Sequence, residues 1–250
     1  MSYDYDNKAY KNIGIDFEEY MNQFLYDFLE DYPSREEYMA EFIIPVLKDC
    51  CPKGAKVIPV YADRNVGPQK ENSRMETISA VYKKDGKTKY VVPDFLIVPK
   101  VYSYENPVKP LVMIETKKPQ IFSVDEYHYA YRDVLDVMNN VESIRDQVQT
   151  ELKACDSVIL TDGITWAFLG KKNKKIVETG TTVRLLDVHK TDYIDPKTNR
   201  KHPGYKITGC RYEEGEERAY DPSTIEDNGW HLLKDQLFDL ISDKLKNIKS

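Results

Sequence analysis

The stretches KYVVPDFLIVPK (89–100) and PLVMIETKKP (110–119) contain the most informative pattern in the chain. Both are short runs of β-branched and other apolar residues, a composition that is typical of β-strands. Each run contains an acid among its apolar residues: Asp94 directly after Pro93, and Glu115 after four apolar residues. We therefore predict two neighbouring strands of one sheet, each carrying a carboxylate into an apolar environment.

Strand geometry predicts where these polar side chains point. Residues two apart on a strand point to the same side, so Glu115 and Lys117 share one face and Thr116 lies on the other. If the two strands pair, Asp94 can join the face of Glu115 and Lys117. Two acids and one lysine would then converge at the edge of an apolar sheet.

This trio predicts a metal site that acts on phosphate esters. Two carboxylates a few ångströms apart repel each other unless a cation lies between them. Their hard oxygen ligands suit Mg²⁺ or Mn²⁺, to which the backbone carbonyl of Thr116 could add a ligand. Such a metal polarises a phosphoryl oxygen and lowers the pKa of bound water, and a lysine can orient that water.

An isolated Glu-x-Lys pattern carries no such information, because it is common on solvated surface hairpins. The position of the acids within apolar strands is what favours the metal site. Burying an unpaired charge there would cost several kcal/mol without a compensating metal or partner.

Periodic apolar residues predict helices around these strands. They recur at three- and four-residue steps within 1–33, 35–48, 125–154 and 231–247. Further strand-like runs cover 56–62, 75–84, 157–162 and 164–169, and Asp85-Gly86 is typical of a hairpin turn. We predict an α/β fold in which a mixed β-sheet is flanked by helices.

We divide the chain into three segments of one domain. Residues 1–33 form an N-terminal helical extension, residues 34–170 form the core, and residues 171–250 form a C-terminal β/helical extension. The start of the chain lacks a secretion signal, and no stretch approaches the ~20 apolar residues of a membrane span. We therefore expect an intracellular protein without membrane contact, in either the cytoplasm or the nucleus.

Charge and cysteine content exclude some classes of protein. The net charge of −6 argues against a protein that coats nucleic acid through bulk positive charge, but not against a nuclease with one basic groove. The four cysteines show no CxxC pattern, so neither a zinc site nor a disulfide framework is indicated. Gly86-Lys87-Thr88 lacks the first glycine of a phosphate-binding loop, so we expect no ATP-driven motor in this chain.

The order of several motifs resembles the PD-(D/E)xK nuclease superfamily, in particular the N-terminal nuclease domain of type I restriction endonuclease motor subunits. The matching pieces, spread over about residues 34–170, are REEYMAEFIIPVL (35–47), PDF (93–95), IETKKP (114–119), QVQTELKA (147–154) and LTDGITW (160–166). The resemblance implies a restriction-endonuclease-like core. It also implies endonucleolytic cleavage of DNA, in preference to RNA, with Mg²⁺ or Mn²⁺.

The resemblance also implies a role for each matching residue. Asp94 and Glu115 would hold the metal, and Lys117 would assist the attacking water. An acid of the preceding helix would complete the cluster, with Glu36, Glu37 and Glu41 as candidates. A helical wheel places Glu36 at the border of the apolar face and the other two away from it, so we choose Glu36.

Substrate contacts are predicted further along the chain. Gln147 matches the glutamine of the family's QxxxY helix motif, which helps to position substrate, but Glu151 stands in place of the tyrosine. Lys118 and Arg145 are candidates for a phosphate-facing groove. The basic stretch 171–175 could also touch phosphates, although a solvated hairpin tip explains it equally well. We assign Thr161-Asp162-Gly163 to a structural turn with Trp166 packed nearby.

Two alternative functions remain open at this stage. The chain could be a catalytically silent module that keeps a nuclease fold and binds nucleic acid or a partner protein. It could also be a nuclease subunit that depends on a separate motor or specificity subunit, or that works as a homodimer.

Overall fold

A mixed β-sheet with helices on both faces forms the centre of the molecule. The computed structural model describes residues 17 and 20 and the ranges 39–60, 80–84, 87–103, 108–123, 129–185, 188–194, 201–207 and 229–249. Within them, the helices are α1 (Met39–Asp49), α2 (Val134–Asn140), α3 (Glu142–Ala154) and α4 (Trp230–Lys249). The first strands are β1 (Ala55–Pro59), β2 (Ala80–Lys84), β3 (Lys87–Val91), β4 (Phe95–Pro99), β5 (Val112–Thr116), β6 (Gln120–Ser123) and β7 (Tyr129–Arg132). The later strands are β8 (Val158–Thr161), β9 (Thr165–Lys172), β10 (Lys175–Glu178), β11 (Val183–Arg184), β12 (Val188–Ile194) and β13 (Lys201–Ile207).

The order of the strands brings the two motif strands side by side. The main sheet runs β1-β4-β5-β8-β9-β10, with β11 paired to β9. Strand β5 pairs antiparallel with β4, Phe95 opposite Ile114, and parallel with β8, Ile114 opposite Ile159. Parallel neighbours need a long crossover connection, which here includes α2 and α3. A second sheet, β12-β13-β7-β6, and the β2-β3 hairpin complete the strand pairing of the described residues.

Alternate strand residues pack into two separate cores, one on each face of the main sheet. One core joins Ile97 and Ile114 to apolar residues of α1 and α4. The other joins Leu96 and Met113 to apolar residues of α2 and α3. Two helical layers around a mixed sheet confirm the predicted α/β class. Of the helices in the described ranges, none is both long enough and apolar enough to cross a membrane.

The predicted strand 89–100 is in fact two strands. Strand β3 ends at Val91 and β4 begins at Phe95, because Pro93 has no N–H for a sheet ladder and restricts the residue before it. Strand β3 pairs with β2, Lys84 opposite Lys87, as expected for a turn at Asp85-Gly86. Those two turn residues lie outside the described ranges.

The predicted helix 125–154 is also divided. Its first part contains β7, which pairs with β6 and β13, and the helical part breaks at Val141 into α2 and α3. The Asp133 side chain accepts a hydrogen bond from Leu135 N at 2.7 Å and caps α2, which fixes the start of that helix. Val141 is extended, with φ −112° and ψ 104°, and separates the two helices.

The two ends of the chain pack on the core that contains α1. Leu233, Leu237 and Ile241 of α4 are buried in it. The ring of Tyr20 lies 5.1 Å from that of Trp230, and its hydroxyl donates to Gly163 O at 2.8 Å. Apart from Phe17 and Tyr20, the segment 1–33 lies outside the described residues.

Candidate active site

The three predicted site residues meet where β4 begins and β5 ends. The pairing of Phe95 with Ile114 places Asp94 opposite Glu115, and Lys117 directly follows β5. Since Leu96 and Met113 belong to the core beneath α3, strand alternation puts Asp94 and Glu115 on that same face. The register therefore brings Asp94 next to Glu115 at the end of β5.

Thr116 holds Asp94 in place. Its backbone N–H and its hydroxyl both donate to Asp94 Oδ2, at 2.8 and 2.6 Å. Lys117 N donates to Thr161 O on β8 at 2.8 Å. Because C=O and N–H of one trans peptide point in opposite directions, the Thr116 carbonyl is aimed away from β8, towards the Asp94 side. This orientation suits the predicted ligand role of that carbonyl.

Lys117 forms an ion pair within the site. Its Nζ donates to Glu115 Oε1, and the side chains of Lys117 and Glu115 are 12% and 3% exposed. Asp94 and Lys117 are only partly buried, so they mark the side from which a substrate could approach.

Glu151 is a fourth member of the site, which the sequence interpretation missed. It is 0% exposed, on the face of α3 that also buries Val148 and Leu152. Its carboxyl group interacts with that of Glu115 and feels the charge of Asp94. The available signal was its spacing, since Glu151 lies three residues after Val148 on the apolar stripe.

Burial and mutual repulsion perturb these acids. Burial, and then the charge of Asp94, raise the pKa of Glu115 to about 7, although Lys117 opposes the shift. Burial, and then Glu115, raise the pKa of Glu151 well above its ordinary value. No donor from the described residues reaches Glu115 Oε2, Glu151 Oε1 or Glu151 Oε2. We call these three atoms the open oxygens.

The chemistry of the open oxygens fits a hard divalent cation. They are buried carboxylate oxygens, for which a cation is the natural partner. In the described part of the chain, however, no three His, Cys, Asp or Glu side chains are already gathered as a formed metal cluster. Thr116 engages one oxygen of Asp94, and Lys117 engages one oxygen of Glu115, so part of the ligand set is bonded within the protein.

The structure describes Gln147 but only one of the three candidates for the helix acid. Glu41 is exposed on α1, as the helical wheel predicts, while Glu36 and Glu37 lie outside the described residues. Gln147 is half-buried and lies one helical turn before Glu151 on the same side of α3.

The basic residues do not all gather at the acids. Arg145 lines a cavity of about 380 Å³ together with Lys174 and Lys175 of the β9–β10 hairpin. Lys118 follows β5 and is not among the residues that line this cavity. The hairpin turns at Asn173 and Lys174, whose φ angles are 51° and 64°. Lys171 and Lys172 are exposed on it, so the solvated hairpin tip is an adequate description of 171–175.

The turn at Thr161-Asp162-Gly163 is structural, as predicted. Asp162 accepts hydrogen bonds from Tyr131 Oη at 2.5 Å, Ile164 N at 3.1 Å and Thr165 N at 2.8 Å. Gly163 has a φ of 84°, which suits glycine. Trp166 is buried beside the turn.

No protein-family model, curated protein or solved structure matches this chain. A function for the site must therefore be argued from the chemistry of its own residues. Those residues are three buried or half-buried acids and one lysine at the meeting point of β4, β5 and α3.

Proposed function

We propose that this chain is a Mg²⁺- or Mn²⁺-dependent nuclease that hydrolyses phosphodiester bonds. We propose DNA as the preferred substrate and endonucleolytic cleavage as the mode. The observation that carries the proposal is the meeting of Asp94, Glu115 and Lys117, with open oxygens among buried carboxylates. A solvated surface hairpin would not account for acids that are buried without donors.

The acids would serve as the ligand set. Asp94, oriented by Thr116, and Glu115 would hold the cation between β4 and β5, and the Thr116 carbonyl could add a ligand. When bound, the cation supplies Lewis-acid activation of the phosphate and of the attacking water. Two strands of a packed sheet position these ligands, so little reorganisation would be needed on substrate binding.

Lys117 would act on the attacking water and on the charge that develops on the phosphate. In the structure its ammonium group is bonded to Glu115, which keeps it at the site before any substrate binds. Because Lys117 is partly exposed, its ammonium group can turn towards a phosphate at the open side. A lysine charge beside a water-poor site stabilises a developing anion better than it would in water.

The order of the motifs in space supports the proposed restriction-endonuclease-like core. PDF opens β4, IETKKP spans the end of β5, and the glutamine helix is α3. The TDG turn then joins β8 to β9. Residues that are spread over the chain therefore come together around one end of β5.

We also propose a nucleic-acid contact, candidate partner proteins and a location for this chain. The cavity lined by Arg145, Lys174 and Lys175 could contact a nucleic acid backbone outside the acid site. We keep the alternatives of a homodimer and of a subunit that needs a separate motor or specificity protein. We also keep an intracellular location.

A cleavage assay tests the proposal. Purified protein would be incubated with supercoiled plasmid, linear DNA and RNA, with Mg²⁺, with Mn²⁺ or with EDTA. We expect metal-dependent cleavage, with DNA preferred. Asp94→Asn and Lys117→Met should each reduce the rate by about 100-fold or more, because each removes part of the charge that stabilises the transition state.

Lys153→Met is the matched control, since Lys153 is an exposed lysine on α3. It should cleave at the wild-type rate. Cleavage that persists in Asp94→Asn or in EDTA would contradict the proposal. Tight metal-independent binding without cleavage, also after addition of co-purifying proteins, would favour the silent binding module instead.

A further inference from the structure

No donor among the described residues explains the burial of Glu151. It is fully buried on the face of α3 that packs on the sheet, between apolar residues such as Val148 and Leu152. Within the described ranges, neither of its carboxylate oxygens receives a hydrogen bond. Removing a carboxylate from water without a partner costs several kcal/mol, so its retention needs another explanation.

The neighbours of Glu151 make its burial less favourable. Glu115 and Asp94, both acids, face it from β5 and from the start of β4. The nearby cation Lys117 is already bonded to Glu115 Oε1. With Asp94, Glu115, Glu151 and Lys117 all ionised, these four described groups carry a formal charge of −2. One divalent cation would offset that charge.

We propose that Glu151 is a metal ligand, so that the cation is held by Asp94, Glu115 and Glu151. This inference rests on the proposed metal-dependent function and adds a ligand to it. The third acid then comes from α3, at the position where the nuclease resemblance implies a tyrosine. The cation that fits is a hard divalent ion such as Mn²⁺ or Mg²⁺.

The position of the open oxygens is what supports a ligand role. Two belong to Glu151 and one to Glu115, and the two carboxyl groups lie within hydrogen-bonding reach of each other. These oxygens would hold a cation at the site, where the hydrogen bond from Lys117 to Glu115 Oε1 would compete with it.

Mn²⁺ binding tests the inference without any need for catalysis. The loss of the free Mn²⁺ signal in electron paramagnetic resonance would be measured for the full chain and for Asp94→Asn, Glu151→Gln, Glu151→Asp and Glu142→Gln. Glu142 is an exposed acid on the same helix and serves as the matched control. Circular dichroism would establish that each variant is folded.

We expect the wild type and Glu142→Gln to bind Mn²⁺ with affinities within about twofold of each other. Surface substitutions away from a site usually change free energies by only a few tenths of a kcal/mol. Glu151→Gln should weaken binding by at least ~10-fold, since even residues that only orient metal ligands are worth that much. Glu151→Asp keeps the charge on a shorter side chain, so its affinity for Mn²⁺ should lie between those of the wild type and Glu151→Gln.

The outcomes separate this inference from the proposed function. Wild-type affinity in both Glu151 variants, with binding lost in Asp94→Asn, would overturn the inference and leave the proposed function standing. No Mn²⁺ binding by the wild type would overturn both.

Discussion

Buried acids occur at two places in the described residues, at the turn between β8 and β9 and where β5 meets α3, and the acids at these places differ in their donors. Asp162 is fully buried, yet a tyrosine hydroxyl and two backbone N–H groups donate to it. Glu115 and Glu151 are as deeply buried, but they face each other and retain open oxygens. Burial raises the pKa of Glu115 and of Asp162, each to about 7.

The difference separates a structural acid from a candidate ligand. The two backbone donors of Asp162 belong to the turn itself, so that carboxylate fixes the loop between β8 and β9. The open oxygens of Glu115 and Glu151 contribute nothing to local backbone structure. An acid of the first kind should stabilise the fold when it is present, and an acid of the second kind should destabilise the metal-free fold.

The largest effect is expected at Asp162. Asp162→Ala removes the acceptor of two buried N–H groups and of the Tyr131 hydroxyl, so the free energy of unfolding should fall by about 3–5 kcal/mol. Urea denaturation measures it. Asp156→Ala, at an exposed acid just before β8, should change the value by less than about 1 kcal/mol. Equal losses of unfolding free energy in the two variants would show that the hydrogen bonds of Asp162 do not stabilise the fold.

The pH dependence of stability should come next in size. The pKa of Glu115 is raised from its ordinary value of 4.5 to about 7. The folded protein therefore binds a proton at Glu115 more tightly than the unfolded chain does. Its stabilising contribution is complete below about pH 4.5 and is lost as pH rises through about 7. In EDTA, the wild type should therefore lose about 3 kcal/mol more than Glu115→Gln between pH 4.5 and pH 8.

Urea denaturation of both proteins from pH 4.5 to pH 8 would measure that difference. Asp162 contributes in both proteins and cancels when the two curves are subtracted, whereas Glu151, whose pKa burial and then Glu115 raise, adds to the difference in the same direction. Parallel curves would show that the burial of Glu115 has no energetic consequence.

A smaller effect of opposite sign to that of Asp162→Ala is expected at Glu151. Glu151→Met replaces a buried unpartnered acid by an apolar side chain of similar length, so the metal-free protein should gain about 1–2 kcal/mol at pH 8. Urea denaturation in EDTA measures this gain, with Glu142→Gln as an unchanged control. A loss of several kcal/mol instead would identify Glu151 as a structural residue.

The smallest effect is expected at Tyr131. Tyr131→Phe removes one donor to Asp162, whose two backbone donors remain, and the hydrogen bond to Thr165 at 2.8 Å. The free energy of unfolding should fall by about 1 kcal/mol. A loss as large as that of Asp162→Ala would mean that the hydroxyl, and not the backbone donors, is the main partner of the acid.

Part of the site could be predicted from the sequence, because it depends on local strand geometry. Alternation places Glu115 and Lys117 on one face, and the antiparallel pairing of β4 with β5 brings Asp94 opposite Glu115. The same local rules predict the turn at Asp162. They do not predict that the Thr116 hydroxyl reaches Asp94, since that depends on how the chain bends after Pro93.

The role of Glu151 could not be predicted, because it depends on how α3 packs against β5. Helical spacing places Glu151 beside Val148, but an acid at the border of an apolar stripe usually reaches solvent. The break between α2 and α3 was missed for a related reason. Strand β7 forms through pairing with β13, which is distant in sequence, and apolar periodicity contains no signal for such pairing.

An anomalous difference map from crystals grown with Mn²⁺ would locate the metal ion itself. We expect a single strong peak bounded by the carboxylates of Asp94, Glu115 and Glu151, with the Lys117 ammonium group displaced from Glu115. A map without a peak there, in which Lys117 still donates to Glu115 at saturating Mn²⁺, would show that these acids do not form a metal site.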